Sequence, residues 1–417
     1  MATKVFRGDA AEVAEVKTVT PANVGVGDIF TLAINGKTIA YTATVNTVAN
    51  VTAGITALWN ASVIPEFAEI TAADANTAVT LTHNTPGVPF TVTGTTTDGN
   101  SSNTQTLTVN TTTAASGPSC ANLAANWNPS VPANTDDIVF EHSDVDVLYN
   151  LDAFSSLVVN SVTVKKSFTG AIGLPKRNAN DYNEYRPTYL AIGFNTANLN
   201  DGEGQGSGRV NISAAASNAT VNVFDSGSAL ENGIPAILLT SLGAASIVNV
   251  WKGDVGIAYF AGETSNTATL QIGYVENQAT DATVLCGSGA LITSITKTGG
   301  TLELLSNFTT LTQSAGETTI GGAATANTVN INGGTVYDHS SGTFNTVNVL
   351  SGATYDLRRA LSSKAATALN VYERGTVYDP HGKLANTTLT LVETTLFNSD
   401  GQPRTVVVLP TNIQLTI

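Results

Sequence analysis

Five segments of the chain repeat one phrase: Ile295-Thr-Lys-Thr-Gly-Gly-Thr-Leu302, Leu311-Thr-Gln-Ser-Ala-Gly-Glu-Thr318, Val329-Asn-Ile-Asn-Gly-Gly-Thr-Val336, Val347-Asn-Val-Leu-Ser-Gly-Ala-Thr354 and Leu369-Asn-Val-Tyr-Glu-Arg-Gly-Thr-Val377. Their starts are 16, 18, 18 and 22 residues apart. Such a period is too short for a helical-pair repeat or a propeller blade, and it suits one coil of a β-solenoid. Coils of that kind stack, so side chains at equivalent positions form columns along the axis. The spacing predicts three columns: Asn330, Asn348 and Asn370; Tyr337, Tyr355 and Tyr378; and Asp338, Asp356 and Asp379. Stacked asparagines can bond amide to amide, as in cross-β ladders.

Outward from this stretch, β-branched runs bounded by turn residues continue back to Val145, and some share the phrase, as in Val221-Asn-Val223 and Val248-Asn-Val250. The fold class predicted is mainly β: an N-terminal α+β module, then a single-stranded right-handed parallel β-helix with short C-terminal strands. The solenoid is expected over 136–395, regular from near 218, and roughly nine coils at about 4.8 Å each give a rod on the order of 45 Å. Residues 111–135 read as a flexible Thr/Ala/Ser/Gly linker and cap, with Trp127 as a lid over the exposed apolar end of the coils. Residues 396–417 supply two apolar strands, Thr405–Leu409 and Ile413–Ile417, which can cap the rod or add to a neighbour's sheet.

The module is expected over 1–110, with 1–15 as an extended arm. Phe30, Leu32 and Ile34 alternate on one strand face, Asn35-Gly36 supplies a type I′ turn, and Ile39 and Tyr41 lie on the returning strand. Val48, Val51, Ile55, Leu58 and Trp59 then make the apolar stripe of a helix that Pro65 ends. Strands are expected around Phe67–Ala72, Ala78–Thr82 and Pro89–Thr93, with Leu107 and Val109 on another, one helix lying across a mostly antiparallel sheet.

Only 12% of the 417 residues are charged and 42% are hydrophobic. That composition is not one of a disordered chain, and folding throughout is expected. The net charge of −14 opposes non-specific binding to nucleic acid or to an anionic membrane surface. Cys120 and Cys286 have no metal-ligand spacing and read as buried thiols. The N-terminal residues lack the apolar core of a secretion signal, and no apolar run is long enough to span a membrane as a helix, so synthesis in the cytosol and release by lysis are expected.

No catalytic, cofactor-binding or metal motif is present, and the chain reads as a non-enzyme. The Asp338, Asp356 and Asp379 column has three readings: strand-ending turn residues, a cation site between stacked carboxylates, or the paired acids of a glycan-cleaving spike. The insertion Gly173–Leu190 concentrates Lys176, Arg177, Tyr182, Tyr185, Arg186 and Tyr189. Tyrosine and arginine are enriched at interface hot spots, so this loop is expected at a subunit interface, with packing on its own rod or ligand binding as alternatives.

The phrases Val19-Thr-Pro-Ala-Asn-Val-Gly-Val-Gly-Asp-Ile-Phe-Thr-Leu32, Pro65-Glu-Phe-Ala-Glu-Ile70, Ile172-Gly-Leu-Pro-Lys176 with Glu184-Tyr-Arg186, and Gly202-Glu-Gly-Gln-Gly-Ser-Gly-Arg209 give the chain a resemblance. It resembles a family of β-solenoid proteins encoded by tailed bacteriophages and prophages, over most of its length to about residue 385. The resemblance implies a virion structural protein. The expected role is a head decoration or cement protein, bound to the major capsid protein or other virion proteins as a homotrimer; a tail fibre or polysaccharide-binding tailspike is the alternative.

Overall fold

The structure is a computed structural model that describes residues 2–99, 104–226, 233–273, 281–360, 362–372, 374–385, 388–392, 396–397 and 403–404. It is mainly β, 46% strand and 6% helix. The expected strands Thr405–Leu409 and Ile413–Ile417 lie outside the described residues; before them, Leu396–Phe397 pairs antiparallel with Pro403–Arg404.

Two long parallel sheets dominate. From residue 190 onward the strands enter them alternately: Leu190–Ala191, Val210–Ser213, Ile237–Thr240 and Gly253–Ile257 build one, while Gly193–Asp201, Thr220–Val223, Ile247–Val250 and Ser265–Ile272 build the other, and the alternation continues to Thr376–Tyr378. Inward residues of both sheets form one contiguous core from Phe6 to Val371. Each fully buried Val, Ile or Leu in it contributes about 1.5–3 kcal/mol. The five phrase starts are successive Cα partners: Ile295 with Leu311, Leu311 with Val329, Val329 with Val347, and Val347 with Leu369. All five are buried, which is why the period is legible: one apolar residue per repeat must land on the residue below it.

Two boundaries differ from expectation. Thr3–Phe6, expected in the arm of the module, pairs parallel with Asp137–Phe140 and antiparallel with Trp127–Asn128, so the N-terminal residues complete the long sheet. The segment expected as a flexible linker is ordered. Strand Thr106–Thr113 runs through its start, and Asn126, wholly buried, donates to the carbonyls of Gly117 and Cys120 and accepts from the Ala10 amide. Trp127 covers the end of the core as a lid should, edge-on to Phe6, Phe140 and Phe154, with its indole N–H on the Ala121 carbonyl at 2.6 Å. Both thiols are buried and unpaired.

The module spans 16–113 and has its own core. Asn35 and Gly36 both take positive φ, 50° and 72°, the type I′ geometry that closes the hairpin of Ile29–Ile34 and Lys37–Thr42. The helix Val48–Asn60 is capped by Thr47, whose hydroxyl accepts from the Asn50 amide, and buries Val51, Ile55 and Trp59 with Thr52; Leu58 is exposed instead. Pro65 opens a second short helix, Pro65–Ala68, in place of the expected start of a strand, because proline fits the first helical turn. The expected single sheet is two, one of four strands and one of three. Phe90 and Val92 are buried as expected, although the strand there is Thr93–Thr97.

Candidate functional site: the joint and the side-chain columns

The insertion 173–190 lies between the module and the parallel sheets. Glu69, just past the short helix, accepts from the Tyr182 hydroxyl at 2.9 Å and from the Asn180 amide. Asn35, at the tip of the hairpin, donates to the Asn183 carbonyl at 2.9 Å, and Tyr185 packs against the module's core. Burial would raise the Glu69 carboxyl, but the His83 ring 3.8 Å away and the hydrogen bonds from Tyr182 and Asn180 outweigh it and hold the group below its ordinary value. Burial, and then the Glu69 carboxylate, push the Tyr182 phenol up.

Arg186, Lys176 and Tyr189 face the side of the sheets. Arg186 binds Glu184 through two bonds of 2.7 Å, with Tyr185 and Tyr149 against its guanidinium. Lys176 lies 3.0 Å from Glu263 and 4.8 Å from the Phe260 ring centre, and the Tyr189 hydroxyl donates to Glu263 at 2.8 Å. Arg177 is solvent-exposed and bonded to Asp181. Lys176, Tyr182, Tyr185, Arg186 and Tyr189 therefore all make contacts within the chain, the packing named above as an alternative for this loop. An insertion that must tie two cores together needs the same rigid aromatic and bidentate groups as an interface, so composition alone does not separate the two. A cleft of about 510 Å³ remains at the joint, bordered by Glu69, His83, Tyr149, Glu184, Arg186 and Arg209. Its charges balance, two carboxylates against two guanidiniums.

The asparagine column is present. Asn348 donates to Asn330 at 2.7 Å and Asn370 to Asn348 at 2.8 Å, and Asn330 reaches the Thr312 hydroxyl at 3.4 Å. A second ladder, which the Val-Asn-Val phrases at 221 and 248 signalled, joins Asn249 to Asn222 and Asn222 to Asn198, each at 2.9 Å.

The tyrosine and aspartate columns are not formed. Tyr337 is the Cα partner of Asp356, and Asp356 of Tyr378, while Tyr355 stands between Val336 and Val377. The turn Leu350-Ser351-Gly352 is one residue longer than Asn332-Gly333, and a slip of one residue turns a strand's side chains to the opposite face. Tyr355 is thus buried in the core, and its hydroxyl donates to Asp338 at 2.6 Å. Each aspartate is held by turn amides, Asp338 by Ser340, Asp356 by Arg358, and Asp379 by Lys383 and Leu384. Burial would raise the Asp356 carboxyl, and the Arg358 side chain and amide overcome that and lower it. Among the described residues no group of three His, Cys, Asp or Glu side chains could hold a metal ion, and no helix is long and apolar enough to cross a membrane.

Sequence reasoning missed two buried lysines. Lys364 lies 3.0 Å from Asp338 inside the core, and Lys297 donates to the Ala315 carbonyl at 2.9 Å. Both stand at strand ends, where a long side chain can fold over a turn of the neighbouring repeat, the following one for Lys297 and the preceding one for Lys364.

No family model, curated protein or solved structure matches the chain.

Proposed function

We propose that the chain is a structural protein of a bacteriophage virion, a head decoration or cement protein whose module binds the particle and whose parallel sheets project as a rod. In this reading the two sheets are walls of one single-stranded, right-handed β-solenoid. The alternation of consecutive strands between two parallel sheets around a common core supports that closure, and the family resemblance supports the virion role. The observation that carries the reading is the joint. Glu69, Asn35 and Tyr185 link the module's core to the insertion, and Arg186 and Lys176 link the insertion to the sheets, so force on the rod is transmitted to the module. The major capsid protein is the partner proposed, with the chain as a homotrimer matched to three-fold positions of a shell.

The module can be removed cleanly for a test. Val13 and Ser116 are bonded to each other in both directions, at 2.7 and 3.2 Å, so the two ends of the intervening segment are adjacent. Particles incubated with the full chain should retain it after sedimentation, and particles incubated with a chain in which 14–115 is replaced by a short glycine turn should not. Equal retention of both would place the attachment elsewhere and overturn this assignment of the module. Retention on tails alone would favour the tail-fibre alternative.

A further inference from the structure

Phe224 and Trp251 stack face to face on the outside of the long sheet, ring centres 4.7 Å apart and planes within 5°. Their amides bond to the carbonyls of Leu199 and Val223 on the strands below, and by the same pattern Gly273 bonds to Val250 and Thr298 to Ile272. The column therefore reads Phe224, Trp251, Gly273, Thr298. Glycine follows tryptophan, so among the described residues the face of Trp251 away from Phe224 meets no side chain of this column at the next level. The result is a groove of about 330 Å³ lined by Trp251, Thr298, Asn249, Gln271 and Thr296. Asn249, Gln271 and Thr296 are consecutive Cα partners and form a parallel polar column two residues away on the same face. The amide ladder ends here: Asn249 donates to Asn222, but its own Oδ1 is buried without a hydrogen-bond partner.

We infer that this groove binds a neutral saccharide, one hexopyranose ring lying on the free face of Trp251. The two columns match the two sides of a sugar. A pyranose presents a face of C–H groups, which an aromatic face covers well, and a rim of hydroxyls, which the amides and hydroxyls of Asn249, Gln271, Thr296 and Thr298 can bond. Levels two strands apart are about 9.6 Å apart, room for one ring between Trp251 and Thr298. Among the described residues no ionisable group lines the groove. Lys252, next to Trp251 in the chain, and Lys166 both turn to Asp225, at 3.5 and 2.6 Å, and neither lines the groove, which favours an uncharged ligand over an anion. A flat nucleobase could also stack, but the chain's charge of −14 repels nucleic acid. The inference does not depend on the virion reading.

Fluorescence gives a direct test, because the other two tryptophans, Trp59 and Trp127, are 1% and 5% exposed and only Trp251 reaches the groove. The full chain is titrated with neutral oligosaccharides built from glucose, galactose, mannose, N-acetylglucosamine and N-acetylgalactosamine, with saturation-transfer NMR on the same samples. At least one should perturb the fluorescence saturably and receive transfer at its ring C–H protons. Trp251→Ala should weaken that binding about tenfold or more, and Thr298→Trp, which fills the groove while leaving Trp251 in place, should abolish it, with melting temperatures showing that both variants fold. No response to any sugar would overturn the inference. So would binding that survives Thr298→Trp, or a response to nucleosides alone.

Discussion

The ammonium of Lys364 lies 3.0 Å from the Asp338 carboxylate at a place where both side chains are almost wholly buried. The carboxylate also accepts from Tyr355 and Ser340, and the ammonium donates to the carbonyls of Ser340 and Gly342. Every member is thus satisfied, the condition under which a buried ion pair is tolerated. Lys364→Met alone strands a buried carboxylate and should cost about 3–5 kcal/mol, whereas Lys364→Met with Asp338→Leu should be far milder than the sum of the single changes. Urea melts of the four proteins in the cycle measure this; additive effects would mean that the pair is not coupled.

Asn348 has amide neighbours on both sides, so Asn348→Ala removes two hydrogen bonds and leaves the Asn370 amide and the Asn330 carbonyl without their partners. A loss of about 1–3 kcal/mol is expected. Asn345→Ala, in the exposed pair with Asn327, should cost much less because water replaces the lost contact. Thermal melts compare the two, and equal costs would remove the ladder as a stabilising feature.

Acid should loosen the joint. The Glu69 carboxyl is held below its ordinary value when folded, so its contribution is complete above the unfolded glutamate range, about pH 4.3, and is lost as pH falls through the lower folded value. Hydrogen-exchange protection across 173–190, taken relative to the intrinsic rate at each pH, should fall over that range in the natural chain. In Glu69→Gln, protection there should vary less with pH, because the carboxamide does not titrate; identical profiles would exclude Glu69 as the acid-sensitive group.

Burial pushes the Lys297 ammonium down to about 8. The unfolded chain, with a lysine near 10.4, binds more protons than the folded one between those values, so stability contributed by this site rises as pH climbs from about 8 to 10. Lys297→Met should remove that rise and should stabilise the chain at pH 7, where the natural residue carries a buried charge. Melting temperatures across pH 7–10 report both effects, and parallel curves for the two proteins would contradict them.

What was legible in the sequence follows from what repeats. Val329, Val347 and Leu369 recur because each must cover the one below, and Asn330, Asn348 and Asn370 ride with them at the next position. The Asn35-Gly36 turn was legible because few residues accept positive φ at both turn positions. Tyr355 was misplaced because one extra turn residue changes the face a side chain occupies without disturbing the apparent phrase. Thr3–Phe6 was misassigned because its partner, Asp137–Phe140, is remote in sequence. The insertion's composition announced contact surface, and Glu69, the residue that it contacts, lies 111 and 113 positions from Asn180 and Tyr182; no local pattern encodes such a pairing.

The account's central claim is that the chain stands on a virion with its module inward and its parallel sheets projecting. Cryo-electron microscopy of particles from a lysate of the strain that encodes it tests this most directly. The account predicts elongated densities in groups of three on the head surface, each joined to the shell through a compact base that fits residues 16–113. Particles that carry the protein by its opposite end, or purified particles that contain none of it, would contradict the account.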